Sequence, residues 1–75
     1  MNIDEFLEEL KTLMQRDGTL TPDMALRDVP EWDSLAIMGC MAFLHGHFGL
    51  RIPYSRFGSL NTVEDVAALA KGAIR

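Results

Sequence analysis

The stretch that decides the fold is residues 33–49, DSLAIMGCMAFLHGHFG, because both ends of a helix are marked in it. Asp33 is a residue type that commonly caps the start of a helix, and Gly49 is one that commonly ends it. At 100° per residue, one face of this segment is apolar. That face comprises Ile37, Met38, Met41, Leu44 and Phe48, with Cys40 at its edge. We therefore predict a central helix from Asp33 to Phe48 whose apolar face packs inward.

The opposite face of this helix is predicted to be exposed and contains two glycines. It comprises Ala36, Gly39, Phe43, Gly46 and His47. Glycine within a helix costs about 1 kcal/mol relative to alanine, so close packing against Gly39 or Gly46 would account for their presence. Phe43 lies between them, and we expect it to form a small exposed apolar surface.

Before the central helix, apolar residues at the start of the chain recur with helical spacing. They are Ile3, Phe6, Leu7, Leu10, Leu13 and Met14. Asn2 or Asp4 can cap this first helix, and Gly18 is a natural end for it. Residues 17–33 contain two prolines and five acids without periodicity, which indicates a long connection. Its apolar residues are expected to face inward; they are Leu20, Met24, Leu26 and Val29.

After the central helix, two shorter signals complete the fold. Residues 52–58 have Pro53 early and Gly58 late, which predicts a single helical turn. Thr62-Val63-Glu64-Asp65 resembles a capping box and opens a last helix. Its apolar stripe is Val63, Val66, Ala67, Ala70, Ala73 and Ile74. With no strand signal, the prediction is an all-α domain over residues 1–75, a small bundle of three main helices plus one short helical turn.

Composition narrows the classes of partner. The 75 residues include eleven acids and seven bases, a net charge of −4, which disfavours nucleic acids and anionic membranes as partners. Residues 1–33 carry −6 and residues 34–75 carry +2. The single cysteine, Cys40, excludes an internal disulfide and suits a reducing cytoplasm. The acidic N-terminus is not a signal peptide, and no apolar run approaches a membrane span. We expect a cytoplasmic monomer.

The candidate site is Glu31-Trp32-Asp33-Ser34-Leu35, where the acidic loop meets the central helix. If Asp33 is the N-cap, Trp32 and Ile37 hold the two positions of a hydrophobic staple, and the Ser34 hydroxyl is free at the first helical position. The amino end of a helix favours a negative group, so a serine there is suited to carry a phosphate ester. Alternatively, Asp33 and Ser34 only cap the helix, and which of them is the cap stays open.

The order of motifs extends this interpretation to the whole chain. An acidic first helix and a long loop precede Trp-Asp-Ser-Leu at 32–35, and Phe48-Gly49, Ile52-Pro53 and the Thr62 capping box follow. Over essentially its whole length the chain resembles the acyl carrier protein family, including the related peptidyl carriers. The resemblance implies that a phosphopantetheinyl transferase, using magnesium, attaches the 4′-phosphopantetheine of coenzyme A to Ser34. The thiol of that arm holds an acyl or aminoacyl group as a thioester for loading enzymes and downstream synthases or transferases.

The resemblance also implies roles for the neighbours of Ser34. Asp33 would assist recognition by the transferase, and Leu35 and Met38 match positions that contact partner enzymes. Phe43 is a third partner-binding candidate, on account of its predicted exposure. Fatty-acid carriers typically have several acids along the second helix, whereas the matching positions here are Ala36, Gly39, His45, Gly46 and His47. This departure favours a specialised pathway (polyketide, nonribosomal peptide or fatty-acid-like) over housekeeping fatty-acid synthesis.

Catalytic and metal sites are not predicted. Ser34 and His45 lie about 16 Å apart along one helix, too far for a serine–histidine pair. His45 and His47 point to different sides of the helix, and Cys40 is about 10 Å from His47, so none of them forms a metal pair.

Two rival functions remain. One is an unmodified helical module for protein–protein interaction; the other is a helix-turn-helix DNA binder using Arg51, Arg56, Lys71 and Arg75, which the net negative charge disfavours.

Overall fold

The computed structural model describes all of residues 1–75 as a helical domain. It contains four α-helices and one 3₁₀ turn, which we number in chain order. They are α1 (Ile3–Met14), the 3₁₀ turn (Leu26–Asp28), α2 (Ser34–Phe48), α3 (Tyr54–Phe57) and α4 (Val63–Ala68). The only β-type pairing is an isolated bridge between Ala25 and Thr62. The predicted all-α class, with a short helical turn between the second and last main helices, is confirmed.

Helix α1 begins at the predicted place and ends earlier than predicted. Asn2 caps it: its Oδ1 accepts the Glu5 N–H at 2.8 Å, while Glu5 Oε1 accepts the Asn2 N–H at 3.0 Å. The predicted end at Gly18 is wrong, because Gln15 already adopts the left-handed conformation with φ 55°. The Arg16 N–H then closes the turn on the Lys11 carbonyl at 2.9 Å.

The long connection is a packed part of the fold. Leu20, Leu26 and Val29 are buried as predicted, and Met24 is partly buried against the same core. Backbone hydrogen bonds tie the connection to the start of α4. The Leu26 N–H donates to the Asn61 carbonyl at 2.8 Å, and the Val63 N–H donates to the Met24 carbonyl at 3.0 Å. The loop that leads to α2 is thus anchored to the end of the bundle.

The buried seam of α2 is rotated from the predicted face. Ala36, Cys40 and Leu44 are its buried residues. Ala36 was expected on the exposed face and Met38 on the inward face, and both expectations are wrong: Ala36 is buried and Met38 is 52% exposed. The cause is the direction from which α1 approaches. A Cβ added at Gly39 would lie 3.2 Å from Leu13 Cδ2, so α1 packs against this side of α2.

Helix α4 has the predicted cap but is only six residues long. Thr62 Oγ1 accepts the Asp65 N–H at 3.2 Å, and Asp65 Oδ2 accepts the Thr62 N–H at 3.1 Å. The predicted helix through Ile74 is wrong beyond Ala68, because tighter turns replace it: the Leu69 and Ala70 N–H groups donate to the carbonyls three residues earlier. The positive φ angles of Lys71 (52°) and Gly72 (92°) then redirect the chain. The chain then turns back to its own start, and the Arg75 N–H donates to the Met1 carbonyl at 3.2 Å.

The interior is wholly apolar. All seventeen buried residues are hydrophobic, and no buried polar side chain lacks a hydrogen-bond partner. Phe6 and Leu10 of α1, Leu44 of α2 and Val66 of α4 are almost completely buried. Three helices therefore meet at one core. None of the helices combines the length and the apolar character that crossing a membrane requires.

The two glycines within α2 differ in their surroundings, and this gives a stability prediction. No atom lies within 4 Å of a Cβ added at Gly46, so we expect Gly46→Ala to raise the free energy of unfolding by about 0.5–1 kcal/mol through helix propensity. Gly49→Ala is the control and should lower the free energy of unfolding, because Gly49 has φ 68°, a left-handed conformation that alanine adopts only with strain. Urea unfolding measures both. A Gly46→Ala variant less stable than the wild type would contradict the prediction.

Candidate functional site

The start of α2 brings the predicted site residues together. Asp33 is the N-cap: its backbone is extended, and its Oδ1 accepts the Ala36 N–H at 2.9 Å. Ser34 is the first helical residue and is exposed. The choice between Asp33 and Ser34 as cap is thereby decided, and the cap does not use the Ser34 hydroxyl.

The electrostatics of this end suit an esterified phosphate. The first N–H groups of a helix lack partners within the helix, and the helix dipole places partial positive charge there. Asp33 satisfies the N–H of Ala36, and Ser34 projects from the same first turn. A phosphate bonded to Ser34 Oγ would therefore lie near partial positive charge. The 15-residue length of α2 supports a full helix dipole at this end.

The loop before the site is held by one arginine. Arg16 Nε and Nη2 donate to the Thr19 carbonyl at 3.0 and 2.8 Å, and its Nη1 donates to Glu31 Oε1 at 2.7 Å. The hydrogen bond from Arg16 lowers the pKa of Glu31 from its usual value. The carboxylate is therefore ionised at neutral pH, and the ion pair is lost only as the pH falls through this lowered pKa. Arg16 thus joins the end of α1 to the residues just before Asp33.

We expect Arg16→Ala to loosen this loop. The lost hydrogen bonds to Thr19 should lower the free energy of unfolding by about 1–2 kcal/mol, with a small further term from the partly exposed ion pair. Amide hydrogen exchange should become faster across residues 17–32. Arg27→Ala is the matched control, since Arg27 is an exposed base of the same loop. Equal exchange in the two variants would contradict a fixing role for Arg16.

Helix α2 presents an exposed face with no acid and no lysine or arginine. We call it the outward face; its residues are all exposed and are Ser34, Leu35, Met38, Ala42, His45 and Gly46. Leu35 is 74% exposed and Met38 is 52% exposed. Grouping of large exposed apolar side chains on one helix face is a feature common to interaction surfaces. Leu35 and Met38, two of the three residues nominated for partner contact, therefore lie beside Ser34.

Phe43, the third nominated residue, is elsewhere. It is half-buried on the opposite side of α2, where its ring centroid lies 6.0 Å from that of Phe6 in α1. The His47 ring stacks on it at 4.3 Å. The predicted exposed apolar surface at Phe43 is therefore wrong, because α1 and His47 cover the ring.

A groove continues the outward face and was not predicted. Its volume is about 410 Å³, and it is lined by Met41, Ala42, His45, Leu50, Arg51, Ile52 and Pro53. One wall is α2 and the other is the segment between α2 and α3. Met41, Ala42 and His45 share the helical phase of Ser34, a signal that the sequence contains. The second wall was not predictable from the sequence. Residues 50–53 carry no local signal for the direction in which they return along α2.

The other reactive side chains form no site. Burial raises the pKa of the Cys40 thiol to about 12, so it stays protonated and unreactive at neutral pH. No group of three or more His, Cys, Asp or Glu side chains is arranged to hold a metal ion. Ser34 thus provides the exposed hydroxyl of the outward face.

Comparison of the chain with protein-family models, with curated proteins and with solved structures finds no match.

Proposed function

We propose that the chain is a non-catalytic carrier domain in which Ser34 bears a 4′-phosphopantetheine arm. The observation that supports this most is the exposure of Ser34 at the first position of α2, with the capping role taken by Asp33. The residues present fit the group: the Ser34 hydroxyl would lose its proton and replace adenosine 3′,5′-bisphosphate on the phosphorus that coenzyme A supplies, and the helix end favours the resulting phosphate ester. When bound, the arm supplies a thiol that holds an acyl or aminoacyl group as a thioester.

Each neighbouring residue has a separate role in this proposal. Asp33 fixes the first turn of α2, so that Ser34 is presented in one orientation, and its carboxylate is exposed to the transferase. Leu35 and Met38 contact the transferase, the loading enzyme and downstream enzymes. The chain positions the cargo, and the partner enzymes supply catalysis. The pathway we favour is specialised (polyketide, nonribosomal peptide or fatty-acid-like), because α2 carries no acid. The coenzyme A donor and the reduced Cys40 suit the cytoplasm.

Incubation with coenzyme A, magnesium and a promiscuous phosphopantetheinyl transferase tests the proposal. Intact-mass spectrometry of the folded protein is expected to show a gain of one phosphopantetheinyl group. A known carrier domain in the same reaction confirms that the transferase is active. A folded chain that gains no mass while the control is fully converted would contradict the proposal.

The same surface supports a second candidate function, an unmodified module for protein–protein interaction. Leu35 at 74% exposure, on a helix that contains no Asp, Glu, Lys or Arg, is the observation that favours it. The two functions differ in the mass assay. A carrier gains the arm, whereas the module gains none and loses binding to its partner when Leu35 is replaced by alanine.

A further inference from the structure

The charges near the two ends of α2 differ in sign: Glu31 and Asp33 lie beside Leu35 at its amino end, and the bases follow its carboxyl end. No aspartate or glutamate occurs between Ser34 and Val63, and the bases of this stretch are Arg51 and Arg56, both exposed. By contrast, nine of the eleven acids lie in residues 1–33. The outward face of α2 therefore contains no acid, lysine or arginine. Its groove end lies beside Arg51, whereas Glu31 and Asp33 lie at its amino end.

The outward face and the groove form one continuous surface. Ser34, Met38 and His45 fall within about 40° on the helical wheel, and His45 also lines the groove. From Ser34 to His45 the surface extends about 16 Å along the helix. Arg51 lies in the opposite wall of the groove, among Leu50, Ile52 and Pro53. A groove of about 410 Å³ has room for an apolar anchoring side chain.

The geometry points to a specific kind of partner: this surface docks an amphipathic helix of another protein, whose apolar side enters the groove and whose flank facing Arg51 is acidic. Apolar contact with Leu35, Met38 and Met41 supplies the centre of the interface, and Arg51 at the groove wall attracts the acidic flank. The assignment rests on the proposed function in that the docked helix belongs to an enzyme acting on the arm at Ser34.

Other occupants match this surface less well. Nucleic acid and anionic membranes require many cations, whereas the surface offers one arginine, Arg51, on a chain of net charge −4. A second copy of the chain would have to present its acidic helix α1. That helix buries Phe6, Leu7 and Leu10 and exposes only polar groups, so it lacks an apolar side to enter the groove.

Two synthetic helical peptides with the same leucine face test this assignment, one flanked by glutamates and the other by lysines. Each is titrated into ¹⁵N-labelled unmodified protein. We expect the glutamate peptide to bind about 10-fold more tightly, with the largest amide shifts in the outward face and residues 50–53, and with weaker binding as salt rises. Arg51→Glu should weaken it about 3- to 10-fold. Lys71→Glu, a charge reversal outside the groove lining, should leave it unchanged.

Equal or tighter binding of the lysine peptide would overturn the assignment, as would shifts centred on α1 or α4, or no binding of either peptide at millimolar concentration. Binding of a short DNA duplex or of anionic vesicles through the same residues would replace it with a different class of partner. The titration is independent of the arm, because it uses the unmodified protein, in which Ser34 carries no arm. A failed mass assay and a failed titration therefore refute different statements.

Discussion

Ser34→Ala is expected to abolish the mass gain completely in the transferase assay while leaving the fold intact. The hydroxyl is the only group at the start of α2 that can form the phosphate ester, so its removal leaves nothing to modify. Ser34 is exposed and Asp33 provides the cap, so alanine at the first helical position removes no structural hydrogen bond on which the helix depends. Circular dichroism should show the same helix content and the same unfolding midpoint within error.

The chain offers a matched control for this prediction. Ser55 is an exposed serine near the start of α3, a helix of only four residues. Ser55→Ala should be modified as fully and as fast as the wild type, because that short helix provides no comparable presentation of a hydroxyl. Complete modification of Ser34→Ala, or loss of modification in Ser55→Ala, would show that Ser34 is not the attachment site.

Leu44→Ala should have the largest effect on stability. Leu44 is fully buried at the centre of α2. Leucine-to-alanine changes at such sites cost about 2–5 kcal/mol, as transfer free energy and a cavity term add. A 75-residue domain has on the order of 4–11 kcal/mol in total. Urea unfolding followed by the fluorescence of the single Trp32 should therefore show most of the stability lost, with a midpoint far below that of the wild type.

Leu35→Ala makes the same chemical change on the same helix and is the control. Leu35 is 74% exposed, so its replacement should change the free energy of unfolding by no more than about 0.5 kcal/mol. It should nevertheless slow modification of Ser34, since a proposed contact to the transferase is lost. A destabilisation by Leu35→Ala comparable to that by Leu44→Ala would mean that α2 is oriented differently in the bundle.

Local signals in the sequence predicted the limits of α2 and the caps well. Asp33, Gly49 and Thr62 act through hydrogen bonds or backbone angles within a few residues, so their effect is visible in the sequence. The orientation of α2 was not predictable in the same way. The helix is apolar on most sides, and periodicity alone placed Met38 inward and Ala36 outward. The approach of Leu13 to Gly39, a contact between distant segments, decides which side is buried.

The same distinction between local signals and tertiary contacts applies to the candidate site. Asp33, Ser34 and Leu35 are consecutive, and a helix start places consecutive residues predictably, so their grouping followed from the sequence. The sequence pattern places Phe43 at the surface. Its contact with Phe6 of α1 joins two distant segments, and local spacing does not show such a contact. The groove wall at residues 50–53 was missed for the same reason. The proposed attachment of phosphopantetheine to Ser34 came from the resemblance to acyl carrier proteins. Composition alone excluded few alternative functions.

Peptide mapping of the modified protein tests the central proposal most directly. Cleavage after Arg27 and Arg51 by trypsin releases residues 28–51, which contain a single hydroxyl side chain, that of Ser34. We expect the phosphopantetheinyl increment on this peptide alone, and we expect it to survive reduction, which would release a disulfide at Cys40. An increment on the peptides that carry Ser55 or Ser59, or none on any peptide of a folded and fully treated sample, would contradict the assignment of Ser34 as the attachment site.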